Sequence, residues 1–209
     1  MLASAWLAAH PGAEGVSPGG QGLSQLGLWF GLLGSVVWAS RRKGSGALAE
    51  DFGCRARLAD VPVGLVAGLL SHQALLPLVA LLMRPLVGDP DVSGPATDLV
   101  ESAQGFGLVV LVLSVTVGAP VVEELFFRGL VLGALARRLG AVAAVAISSA
   151  LFGLAHPQDL PVGALALVMV SLAAFGAVLA ALAVRTGRLG SAIIAHATFN
   201  ALTVFFILK

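Results

Sequence analysis

Six stretches of the chain read as almost unbroken apolar runs joined by more polar connections: Leu23 to Ser40, Val61 to Met83, Gly105 to Leu135, Gly140 to His156, Pro161 to Val184 and Leu189 to Leu208. A helix needs about 20 such residues to cross a hydrocarbon core about 30 Å thick. The pattern therefore predicts an all-α, polytopic transmembrane helical bundle of about six to seven spans. The third run is too long for one straight crossing. Gly118, Ala119 and Pro120 interrupt it, so it reads either as a kinked helix or as a helix followed by a re-entrant turn, which would make the count seven. No internal repeat of the transporter kind is visible, and the chain reads as one domain.

Composition supports the membrane reading. Of the 209 residues 58% are hydrophobic and 11% charged, and the mean hydropathy is +0.97, against about 45 to 50% and about 25% for a soluble domain. Disordered, collagen-like and disulfide-rich classes are excluded, and the single Cys54 has no partner for a disulfide, a zinc ribbon or a redox motif. A net charge of +1 with scattered basic residues gives no field for nucleic acid, so none is expected as a partner. Met1 to His10 lack a basic region and Pro11 breaks their apolar stretch, so no cleaved targeting sequence is expected. No lipidation motif is present.

Arg41, Arg42, Lys43, Arg55 and Arg57, then Arg137 and Arg138, then Arg185 and Arg188 occupy every second connection, which the positive-inside rule assigns to the cytoplasm. The connection carrying Asp89, Asp91, Asp98 and Glu101 suits the outside, where both termini would also lie. The expected divisions are an external N-terminal segment over 1–22, two spans with their loops over 23–104, and a helical core over 105–209.

Of the 11 acidic residues only Glu123 and Glu124 stand inside an apolar run. An ionisable group in the bilayer costs about 2.5 to 3.5 kcal/mol on insertion scales, so each marks a site or a structural pair. The same reasoning selects Arg128, His72, His156 and His196. In VVEELFFRG, Glu124 and Arg128 share a helix face at i,i+4, whereas Glu123 is turned about 100° away. Glu124 with Arg128 reads as a buried ion pair that fixes the helix. Glu123 has no partner in its own helix and is the better candidate for a general base, unless a histidine or water from another helix satisfies it.

In LFGLAHP, Phe152 and His156 share a face. Counted from the Arg137/Arg138 turn, Glu124 and His156 both stand about 21 to 24 Å up an antiparallel hairpin, so they can meet. In AHATFN, His196 and Asn200 share a face, either as interhelical hydrogen-bonding glue or as part of the site. Together these residues form the only polar constellation in the predicted bilayer, which points to a site. His72, beside Ser71, Gln73 and Pro77, reads as a polar contact or kink. Ser149 lies seven residues before His156 but has no nucleophile-elbow setting.

These residues resemble the CPBP group, the CAAX-processing and bacteriocin-processing intramembrane endopeptidases also called the ABI family. The match spans roughly residues 119 to 205 and rests on three motifs in order: EExxxR in Glu123 to Arg128 followed by Gly129, FxxxH in Phe152 to His156, and HxxxN in His196 to Asn200. The resemblance implies a helical membrane fold with a polar chamber over the core 105–209, and peptide-bond hydrolysis as the activity. It implies that Glu123 with His156 activates a water, that His196 and Asn200 stabilise the oxyanion, and that Glu124 and Arg128 support the site. Phe127 and Phe152 are the expected substrate contacts.

The chain has no HExxH helix, no intramembrane Asp pair and no serine motif, which excludes the other intramembrane protease designs. No cofactor is expected from the resemblance. The ligand set alone leaves a divalent metal open, with Glu123, His156 and His196 as its ligands. Membrane lipid and a peptide or membrane-protein substrate are the expected partners. The other readings are a non-proteolytic immunity or scaffold protein and a proton-coupled transporter. Ten Arg against two Lys, with abundant Ala and Gly, suggests a GC-rich prokaryotic gene and hence a prokaryotic cell membrane, which argues against a prenylated substrate.

Overall fold

A computed structural model of the protein describes residues 18–209. The readings made for Met1 to His10, and most of the 1–22 segment, lie outside the described residues. Among the described residues the chain is all-helical, with eight helices and no strand. These are α1 (Pro18–Lys43), α2 (Leu48–Asp51), α3 (Asp60–Val87), α4 (Gly94–Glu101), α5 (Phe106–Leu139), α6 (Ala141–Leu154), α7 (Val162–Thr186) and α8 (Gly190–Leu208).

Four of them, α3, α5, α7 and α8, are long and apolar enough to cross a membrane, with 28, 34, 25 and 19 residues. The first apolar run forms the 26-residue α1, whose last turn carries Arg41, Arg42 and Lys43, the sign that a helix C-terminus favours. The fourth run forms a helix of only 14 residues, α6, about 21 Å long. It falls short of a full crossing, and the chain continues as the coil around His156 and Pro157. The third run is one continuous helix rather than a helix and a re-entrant turn. The break expected at Gly118 to Pro120 is absorbed by a π-helical turn over Ser114–Gly118, and a second one covers Leu125–Val131. Proline has no N–H to return to the preceding turn, and a widened turn accommodates the missing bond. The same device appears in α3, where a π turn over Ser71–Leu75 precedes Pro77.

The outer surface is apolar, as a bilayer requires: Leu82 on α3 is 67% exposed, Phe106 on α5 80% and Val142 on α6 86%. Inside, Phe127, Phe152, Phe175, Leu179 and Phe199 form one cluster, and Leu125, Leu132, Ala144, Ala180 and Leu189 a second. With no aqueous driving force between spans, association depends on close packing, which small residues permit. Gly64 and Gly68, one turn apart on α3, supply it against α8. A Cβ on Gly64 would stand 2.6 Å from Ile194 Cβ, and one on Gly68 2.5 Å from Ala195 O. Gly68→Ile is therefore expected to destabilise the fold by about 1 to 3 kcal/mol through overpacking, read as a lower melting temperature of the detergent-solubilised protein. An unchanged melting temperature would mean that α3 and α8 are not held at this distance.

The basic connections are tied together at one end of the bundle. Arg188 grips Asp60 through Nε and Nη2 at 2.8 Å each, and Asp60 is 1% exposed. Leu189 N donates to Gly53 O at 2.8 Å and Gly190 N to Arg55 O at 3.1 Å. Asp60 is the buried first residue of α3, made tolerable by a fork-shaped cation with matching geometry. In the neighbouring loop, the Ser40 hydroxyl and then the backbone and hydroxyl of Ser45 hold the Asp51 carboxyl below the usual carboxylate range.

Candidate active site

Two helices and one loop bring five of the six polar motif residues together. α5 contributes Glu123, Glu124 and Arg128, the segment after α6 contributes His156, and α8 contributes His196. Glu124 and Arg128 are each fully buried in their side chains and pair at 2.9 Å across one turn. Arg128 Nη2 also donates to Gly176 O on α7 at 3.1 Å, and its guanidinium lies 4.2 Å from the centre of the Phe152 ring. His196 Nδ1 is 3.0 Å from the Glu124 Oε1 that Arg128 already holds. A carboxylate oxygen only accepts, so if Glu124 is ionised beside Arg128, His196 donates from Nδ1 and turns Nε2 outward.

Glu123 occupies a different environment, as the 100° offset requires. Its side chain is 13% exposed, and its Oε2 lies 3.6 Å from His156 Nε2 and 3.9 Å from His196 Nε2. Both separations exceed a hydrogen bond, the range in which a bridging water is to be expected. No side chain or backbone group among the described residues satisfies that buried oxygen. His156 Nδ1 is 2.6 Å from Phe152 O. A carbonyl also only accepts, so Nδ1 carries a proton and Nε2 is the ring nitrogen that faces Glu123. At 25% side-chain exposure His156 is the most open of the group.

Asn200 is placed apart from this pair. Its Nδ2 donates to Val115 O at 2.8 Å, in the π turn of α5, and it lines a small apolar cavity with Val112, Thr203 and Val204. Phe127 and Phe152 are not where a substrate would touch them. At 7% and 1% exposure they belong to the core. Phe152 packs against the rings of His156 and His196, with centroids 4.6 and 5.7 Å away, so large rings that close a core beneath polar groups orient them instead of meeting a ligand. Ser148 donates to Phe127 O at 3.1 Å, a packing role.

The depth of the site also differs from the hairpin count. His196 is six residues into α8, about 9 Å from its first residue. Leu132 of α5 packs in the same cluster as Leu189, so the last turns of α5 project beyond the basic ends of α3 and α8. The site therefore lies in the half of the bundle nearest the basic connections. Two contacts escaped the sequence reading: the Asp60–Arg188 clasp, which no local spacing reveals, and the Gly64/Gly68 seam, which a small-xxx-small pattern does display. Among the described residues no group of three His, Cys, Asp or Glu is arranged to hold a metal ion.

Residues 105–202 match the family model described as Type II CAAX prenyl endopeptidase Rce1-like. These residues carry all three motifs, and over them the chain is similar to that family. No match was found among curated proteins or among solved structures. That family is one of proteases, and the four long apolar helices support an integral membrane protein.

Proposed function

We propose that this chain is an intramembrane endopeptidase of a prokaryotic cell membrane, hydrolysing peptide bonds of membrane-associated or hydrophobic substrates with a Glu-activated water. The observation that carries the reading is the buried Glu123 Oε2 facing the Nε2 atoms of two histidines at 3.6 and 3.9 Å. A water that donates one proton to Glu123 and the other to the lone pair of His156 is polarised for attack on a carbonyl carbon. As the C–O bond forms, Glu123 takes the proton and the carbonyl oxygen becomes an oxyanion. His196, held by Glu124 through Nδ1, turns Nε2 toward that oxygen as its donor. Collapse breaks the C–N bond, and the proton on Glu123 passes to the leaving amine. No covalent intermediate and no cofactor is required. Burial of the pair supports this route because donors in a low-dielectric site lose little of their strength to solvent.

The test compares peptide termini in membranes of host cells expressing the wild type or His156→Ala at matched levels. Termini that appear only with the wild type are the expected result, and they name the substrate. Equal sets of termini from two folded proteins would leave a binding or scaffold protein. Cleavage by the purified protein is expected to persist in EDTA. Loss in EDTA and recovery with zinc would convert the same three side chains into metal ligands.

A further inference from the structure

A polar side chain in the middle of a lipid-facing helix surface is left over from everything above. Gln73 stands thirteen residues from Asp60 and fourteen from Val87 on α3, about 20 Å from either end and so near the bilayer midplane. It is exposed on the bundle's outside. So are Leu69 and Leu70, at 46% and 57%, and Pro77, its neighbours one turn away in each direction. Its Oε1 meets His72 Nδ1 at 2.9 Å. That ring is itself fixed between Phe199 and Phe206, with centroids 5.4 and 5.6 Å away. The π turn over Ser71–Leu75 holds this arrangement in place.

One contact does not satisfy a primary amide. The two Nε2 hydrogens and the second lone pair of Oε1 have no hydrogen-bond partner among the described residues, and hydrocarbon offers none. We infer that Gln73 is the centre of a homodimer interface, pairing with Gln73 of a second copy of this chain across a two-fold axis in the membrane. An amide is donor and acceptor at once, so two copies related by such an axis form a reciprocal pair of N–H···O bonds without any other residue. The exposed Leu69, Leu70 and Pro77 surround that pair with apolar surface. His72 presets the amide plane, which reduces the ordering cost of docking. The inference requires only that the chain spans a membrane and does not depend on the proteolytic reading.

The experiment uses the full chain in vesicles of phosphatidylethanolamine and phosphatidylglycerol, labelled for single-molecule photobleaching over a range of protein-to-lipid ratios. Wild type is expected to pass from one-step to two-step bleaching as the ratio rises. Gln73→Leu, which replaces the amide by an apolar group facing lipid, is expected to raise the dimer dissociation constant about tenfold. In a Cys54→Ser background, Gln73→Cys is expected to form a disulfide with its own copy on oxidation, and Leu113→Cys, on the lipid-facing side of α5, is not. Wild type that stays monomeric at every ratio, or Gln73→Leu that dimerises as well as wild type, would overturn the interface. Equal crosslinking at both cysteine positions would overturn it too. Crosslinking of Gln73→Cys in cell membranes to a different chain only would assign the amide to a heterologous helix and overturn self-association.

Discussion

Glu123→Gln is expected to lower kcat for peptide hydrolysis about a thousandfold, within the range general-base catalysis contributes, with KM almost unchanged. The substitution keeps the shape of the side chain and removes its basicity. An amide can still lie between the Nε2 atoms of His156 and His196, now 3.6 and 3.9 Å from Glu123 Oε2, so packing survives. The Glu124–Arg128 pair, which holds α5, is untouched. Steady-state kinetics on a quenched fluorogenic peptide, with a melting curve of the same preparation, measure both quantities. A folded Glu123→Gln protein that keeps a tenth of the wild-type kcat would move the base to another group. If Glu124→Gln gave the larger kinetic loss in a protein of unchanged stability, the assignment of the two glutamates would be reversed.

How far that division of labour is legible without the structure depends on what fixes each contact. The i,i+4 relation of Glu124 to Arg128 is set by helix geometry alone, and so is the separation of Glu123 from it, so both can be read from VVEELFFRG. The meeting of Glu123 with His156 follows from a short hairpin, where residue counts on two arms remain in register. Contacts between distant helices obey no such count. His196 reaches Glu124 because α8 starts level with the later turns of α5, an axial offset seen in the cluster that Leu132 and Leu189 share. Asp60 and Arg188, 128 residues apart, pair only once α3 and α8 are seated by Gly64 and Gly68. The aromatic residues show the converse failure. Phe127 and Phe152 neighbour the motif in sequence, yet their rings point inward, and adjacency along a helix does not say which face a side chain takes. The π turns hide for a similar reason, since Pro120 and Pro77 advertise a disturbance without specifying how the helix absorbs it.

Arg128→Ala is expected to have the largest effect on stability, a loss of about 3 to 5 kcal/mol, as when one partner of a buried pair is removed. The guanidinium is the only cation among the described residues that bonds Glu124, apart from a protonated His196. Its removal also deletes the bond to Gly176 O and the stacking on Phe152. Glu124, 0% exposed, would remain with an uncompensated charge and a space beside it. In a chain of this length such a loss lowers the melting temperature by about 10 °C or more. Much of it should return in the double variant Glu124→Gln/Arg128→Met, which leaves neither an unpaired charge nor a large hole, because the expense of a buried pair lies in desolvating it. Catalysis should not return with it. His196 would lose the carboxylate that holds its Nδ1, and the oxyanion an oriented donor. Melting curves and turnover of the wild type, both single variants and the double variant separate these two roles. A double variant no more stable than Arg128→Ala would place the energy in the guanidinium's contacts to Gly176 and Phe152, and one with wild-type turnover would remove Glu124 and Arg128 from the support of the site.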